Sequence, residues 1–267
     1  MRFPNATVAP FLNNVEVNIT DNCNLNCKAC NHFSPFVKGR LKNSAERFEK
    51  DLTKLLSVYK INKLVLLGGE PLLEPELLKQ FVEISRKFRD RYEMLIIITN
   101  GLLIPSLKDG FLQFLKENQV HVSVTLYPPT LALKQEIEDV LRKHGIWYFI
   151  SRPVHEFMKR LSFTPTDKPQ FNSDICLSNG CYHLRDGYIY KCPDSFTIKY
   201  MDAAAGTDFA SKGDAIPLDF VIANPVATMD ELHSSIELCR FCGDTFLESI
   251  PWERVDGKPD IKSWFVD

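Results

Sequence analysis

Cys23, Cys27 and Cys30 stand in the run Cys23-Asn24-Leu25-Asn26-Cys27-Lys28-Ala29-Cys30, three thiols separated by three and then two residues. Thiolate is the soft ligand of iron–sulfur clusters, and three thiolates from one tight loop can hold three irons of a 4Fe–4S cube. The fourth iron is then open to a small molecule. A structural zinc site also uses two-residue gaps, but it seldom draws three cysteines at these gaps from one loop. A second set lies downstream: Cys176, ten residues, Gly187, four residues, Cys192, and then Cys239-Arg240-Phe241-Cys242. Its four thiolates could ligate every iron of another cube, or one zinc ion, since all-cysteine zinc sites share the CxxC element. Cys181, the last of the eight cysteines, belongs to neither set unless it replaces Cys176. Packing is the common fate of such a residue.

Other residues suited to such a centre follow short apolar runs. Gly68-Gly69-Glu70-Pro71 comes directly after the run 64–67. Two glycines let backbone approach a ligand closely and a carboxylate suits a cation, though a plain strand-to-helix turn uses glycines too. Thr99-Asn100-Gly101 closes the run 94–99, and Ser123 and Thr125 lie on one side of the run 120–126. Arg152 follows the run 147–151 and suits a carboxylate or a hydroxyl. Alone, each is an ordinary polar residue at a strand end.

The elements that must position these residues follow from hydrophobic patterning. Strands are expected at 15–20, 64–67, 94–99, 120–126 and 147–151, rich in Val, Ile and Leu as buried parallel strands are. Helical patterns occupy 45–59, 74–88, 107–118 and 130–143, with starts at Ser44 and Thr130, prolines 75 and 105 in first turns, and a stop at Gly145. Such alternation means a parallel sheet with right-handed crossovers. Five strands make a partial (β/α) barrel, with chemistry at the C-terminal strand ends. Beyond about Arg152 prolines break the pattern. Residues 181–192 read as a hairpin turning at Asp186-Gly187, in a region too poor in apolar periodicity to fold comfortably without a metal staple. The expected division is an α/β partial barrel over 11–165, a small α+β auxiliary unit over 166–250 and a tail over 251–267.

The 267 residues are 45% hydrophobic and 25% charged with a net charge of −2, ordinary for a soluble globular protein. No block of like charge recommends DNA, RNA or an anionic membrane as partner. Apolar runs are too short to span a bilayer and the first residues carry no signal-peptide core, so a cytoplasmic location is expected. That location also disfavours a disulfide set.

The first cysteine run, taken with Gly68-Gly69-Glu70-Pro71, resembles the signature of the radical S-adenosylmethionine (SAM) superfamily. The second set resembles the twitch domain, a shortened SPASM module. The resemblance implies SAM on the open iron, with Gly68, Gly69, Glu70 and Pro71 about its ammonium group. Asn100, Ser123 and Arg152 would lie near its ribose or carboxylate, and Phe33 or His32 against its adenine. Ala29 departs from the aromatic residue usual before the third cysteine. Cys176, Cys192, Cys239 and Cys242 would hold a second 4Fe–4S cluster. The implied activity is cleavage of SAM to a 5′-deoxyadenosyl radical that takes a hydrogen from a substrate, with flavodoxin or ferredoxin as low-potential electron donor. Chains of this length resemble 2-deoxy-scyllo-inosamine dehydrogenase-like enzymes. That implies a small polar, sugar or aminocyclitol-like substrate and net two-electron oxidation of a C–OH group, with Arg152 and Cys181 as the catalytic candidates, Cys181 being structural or a spare if the reaction is that oxidation. Redox-neutral epimerisation, with Cys181 returning a hydrogen atom, is the first alternative. Deoxygenation and peptide modification are others, and a zinc-stapled binding protein is the one outside catalysis.

Overall fold

Five parallel strands alternate with helices in the first part of the chain: β1 (Phe11–Thr20), α1 (Ala45–Val58), β2 (Lys60–Gly68), α2 (Pro75–Arg86), β3 (Tyr92–Thr99), α3 (Asp109–Glu117), β4 (His121–Val124), α4 (Pro128–Leu131), α5 (Lys134–Lys143) and β5 (Tyr148–Ile150). The computed structural model describes residues 10–213, 215–242 and 248–266; residues 1–9, read above for a signal core, lie outside them. Local signals set the helix ends. The Ser44 hydroxyl accepts from Arg47 N at 3.3 Å, Pro75 opens α2, and Gly145, at φ 61°, ends α5. The helix expected at 130–143 is two helices instead. Pro128 and Pro129 start a turn early, and Thr130 closes it by accepting from Tyr127 N at 2.8 Å, so the chain must restart at Lys134.

The second part continues the same sheet. After β6 (Glu156–Met158) and α6 (Pro169–Ile175) come β7 (Cys181–Arg185), β8 (Tyr188–Tyr190), α7 (Pro193–Thr197) and β9 (Ala215–Pro217). The strand order is β5-β4-β3-β2-β1-β7-β8-β9. β7 runs parallel to β1, with Asn14 opposite Cys181, and returns antiparallel through β8. Asp186 and Gly187, at φ 54° and 85°, make the expected hairpin turn. β6 pairs separately with β10 (Ser249–Pro251). The architecture is thus α/β with a mostly parallel sheet, an open partial barrel. Among the described residues no helix is long and apolar enough to cross a membrane.

Alternation along β1 explains both the core and the site. Val15, Val17 and Ile19, fully buried, pack with Leu52, Leu55, Leu64 and Leu66 beneath α1 and α2, where Phe48 and Phe81 stack at 4.2 Å. Each such side chain contributes about 1.5–3 kcal/mol on burial. Asn14, Glu16, Asn18 and Thr20 take the opposite, inner face. Tyr182, Leu184, Ile189 and Val221 belong to the same core, so the second part shares the packing of the first. A smaller core, with Phe33, Phe36, Leu161, Met201, Trp264 and Phe265, lies under the cysteine loop.

Candidate active site

Cys23, Cys27 and Cys30 line one wall of a cavity of about 250 Å³ at the C-terminal ends of the parallel strands. Their loop leaves β1 directly and is held tightly. Asn26 and Ala29 take positive φ, Cys30 N donates to Cys27 O at 3.3 Å, and Leu25 N donates to Cys23 Sγ at 3.5 Å. Burial pushes the Cys23 thiol up to about 12 and raises Cys27 and Cys30 as well.

Gly68 and Gly69 line the facing wall. A Cβ on Gly68 would lie 2.0 Å from Thr20 O, and one on Gly69 2.2 Å from Asn22 O. The glycines therefore admit the neighbouring backbone: Gly69 N donates to Thr20 O and Glu70 N to Asn22 O, both at 2.8 Å. In this way the turn after β2 is fastened to the start of the cysteine loop. Glu70 is fully buried, and its carboxylate accepts from Leu72 N at 3.0 Å, Thr99 Oγ1 at 2.8 Å and Asn100 N at 2.8 Å. Burial holds that carboxyl up to about 7. Its contacts tie the end of β2 to the end of β3. Asn100 reaches the cavity and donates from Nδ2 to Asn24 Oδ1 at 2.7 Å.

Thr125, Tyr127, His32, Ser178 and Glu16 complete the polar wall. Glu16 is 8% exposed, and burial pushes its carboxyl up to about 7, with Asp194 adding to the rise and hydrogen bonds from Cys181 and Asn14 opposing it. Cys181 stands behind Glu16, where Asn14 Nδ2 donates to its sulfur at 3.2 Å. Other sequence candidates stand off this wall. Pro71 starts a buried turn, Phe33 is buried in the smaller core, Ser123 sits deeper in β4 and Arg152 is exposed.

Cys176, Cys192, Cys239 and Cys242 line a second, narrow cavity, together with Arg160, Lys191 and Asn172. Asn172 Nδ2, from α6, donates to Cys239 O at 3.0 Å and Cys242 O at 2.7 Å, which fixes the CxxC turn. Ser178 N donates to Cys176 Sγ at 3.3 Å. Arg160 forms an ion pair with Asp194 at 3.1 Å, and buried Lys191 donates to Ser234 O. Two cations thus face four sulfurs. Ser178 lines both cavities, so the second cysteine set adjoins the first. Among the described residues no cysteines are joined in disulfides, and no three His, Cys, Asp or Glu side chains are grouped to hold a single metal ion.

The family model described as the Radical SAM superfamily matches residues 17–150, half of the chain. The chain belongs to the radical SAM superfamily. Curated relatives of this radical SAM protein include a GTP 3′,8-cyclase of Clostridium acetobutylicum, 34% identical over 96 residues, 35% of this chain and 29% of that enzyme. Another, the GTP 3′,8-cyclase of Nautilia profundicola, is 31% identical over 135 residues, 48% of this chain and 40% of that enzyme. The chain thus spans less than half the length of these relatives. Among solved structures, BtrN in complex with AdoMet and 2-DOIA shares the fold, with a TM-score of 0.53 and 17% identity over 87% of this chain and 93% of that one.

The superfamily implies SAM and a 4Fe–4S cluster, and the first cavity fits them. Its three ligand candidates are all thiols, and the open side is walled by glycine backbone and by amide and hydroxyl groups. Sequence reasoning missed Glu16, Ser178 and Phe157 on this wall. The alternation of Asn14, Glu16, Asn18 and Thr20 against Val15, Val17 and Ile19 was the available signal for Glu16. Ser178 and Phe157 had none, because only folding brings their segments to the barrel mouth.

Proposed function

We propose that this radical SAM protein is an oxidoreductase that removes two electrons from a C–OH group of a small polar, sugar- or aminocyclitol-like substrate. Cys23, Cys27 and Cys30 would hold the SAM-binding cluster, and Cys176, Cys192, Cys239 and Cys242 a second 4Fe–4S cluster in a twitch-like unit over 166–250. When bound, SAM on the first cluster supplies a hydrogen-abstracting radical and the second cluster supplies an acceptor for the remaining electron. A ferredoxin or flavodoxin would be the reductant.

The observation that carries this reading is the convergence of four distant cysteines on one cavity that shares Ser178 with the SAM cavity. The likeness to BtrN supports it, since 87% coverage requires more of the chain than residues 11–165. In this reading the protein's own groups do the positioning. Glu70 holds Asn100 and the strand ends. Glu16, buried beside the cavity and pushed up to about 7, accepts the hydroxyl proton as the carbonyl forms. Arg160 and Lys191 offset the negative charge of four thiolates.

Anaerobic reconstitution followed by metal analysis tests this directly. About eight irons per chain are expected, with 5′-deoxyadenosine release stimulated by a member of a sugar and aminocyclitol panel and a product two hydrogens lighter. Zinc in the second site, or a product of unchanged mass, rejects the oxidation.

A further inference from the structure

The C-terminal segment returns to the cysteine loop and pairs with it. Lys28 N donates to Glu253 O at 2.9 Å and Val255 N to Asn26 O at 2.8 Å, with a bridge between Cys27 and Arg254. A Lys28–Glu253 ion pair at 2.9 Å and a bond from Asn26 Nδ2 to Val255 O fasten the same strap. Within it, Trp252 Nε1 lies 3.2 Å from Cys27 Sγ, while Trp252 N donates to His155 O at 2.7 Å. The indole nitrogen can only donate, so the direction of that contact is fixed: an N–H points at the sulfur. Cys27 is 5% exposed, so little water competes with the indole.

We propose that Trp252 tunes the reduction potential of the cluster held by Cys23, Cys27 and Cys30, raising it through the indole N–H bond to Cys27 Sγ. The inference rests on the assignment of that cluster to these three cysteines. One-electron reduction makes the cluster more negative, and its thiolate sulfurs share the added charge. A donor dipole aimed at one of them favours the reduced state over the oxidised one, and hydrogen bonds to sulfur are among the levers that set cluster potentials. Trp252 is therefore a tuning residue acting through Cys27. Trp264, a fully buried indole nearby, donates to the Cys30 backbone oxygen at 2.8 Å and leaves the sulfurs alone.

The test is a redox titration of the reconstituted full chain, followed on the EPR signal that changes when SAM is added. Trp252→Phe keeps a ring in place and removes the donor; Glu253→Ala loosens the same strap and keeps the donor. A lower midpoint potential is expected in Trp252→Phe alone. No shift, an upward shift, or an equal shift in both variants overturns the proposal. Wild-type protein labelled with indole-15N tryptophan gives a readout that needs no variant: a 15N coupling on the reduced cluster is expected, and its absence overturns the assignment. Wild-type protein that loads no iron at the three cysteines overturns both this inference and the cluster assignment on which it rests.

Discussion

The two cysteine regions solve opposite problems. The first gathers its thiols within eight residues of one loop and opens onto a cavity of about 250 Å³. The second draws its four from positions 176, 192, 239 and 242 and closes them into a narrow space edged by two cations. A local loop suffices where one coordination position must stay open for a ligand, because the strand ends supply the remaining walls. A site with every position filled by protein needs thiols from several directions, and folding has to bring them there. On the proposed function, the comparison separates a ligand-binding centre from an enclosed one.

The sharpest way to break the comparison is to remove each set in turn. Replacing Cys23, Cys27 or Cys30 by alanine should abolish reductive SAM cleavage while the iron proposed for the second centre remains, as EPR and metal analysis would show. Cys239→Ala should do the reverse, sparing SAM cleavage and ending product formation. Equal losses in the two variants would mean that the regions form one unit.

Glu16 lies on the wall beside the second region and should report on it through pH. Its carboxyl is raised from 4.5 to about 7 in the folded chain, so folding favours the neutral form. The resulting stability is fully present below about 4.5 and is lost as pH rises through about 7, by an amount on the order of 3 kcal/mol. Glu16→Gln should lose less stability than wild type over that window in urea denaturation. Parallel pH profiles would place the carboxyl in water.

A smaller effect is expected at Glu70. Glu70→Ala leaves three donors on the strand ends without their acceptor and should weaken SAM binding by roughly 1–3 kcal/mol in calorimetry. Unchanged affinity would detach this buried tie from the SAM cavity. The smallest effect belongs to Cys181. Behind Glu16 and off both cavity walls, it should be replaceable by alanine with both proposed clusters and most turnover retained. Turnover in deuterium oxide sharpens the point: deuterium at a product carbon would assign Cys181 a hydrogen-donating role and the enzyme an epimerisation.

Much of the first region is legible in the chain order. β2 to β5 fall where short apolar runs stand, and β1 where apolar residues alternate with polar ones, each pattern setting which face packs on the core. The hairpin at Asp186-Gly187 shows for a similarly local reason, since few other residues accept positive φ twice in succession. The split between α4 and α5 was obscured by helical periodicity that runs through Ala132 and Leu133 without a break. Gly68 and Gly69 line the cavity, whereas the Glu70 carboxylate beside them is turned inward and joins β2 to β3, a contact between strands that spacing does not encode.

By itself, then, the sequence determined the three-thiol loop, the strands that carry it and the glycine pair at the end of β2, all of them products of neighbouring residues and backbone sterics. Tertiary structure alone decided that β7 would lie against β1 and set Cys181 behind Glu16. It alone brought Ser178 between the two cavities and folded the C-terminal strap back until Trp252 met Cys27. Those contacts join residues up to 225 positions apart. They form because separate apolar faces find one shared core, and no local pattern records where such faces will meet.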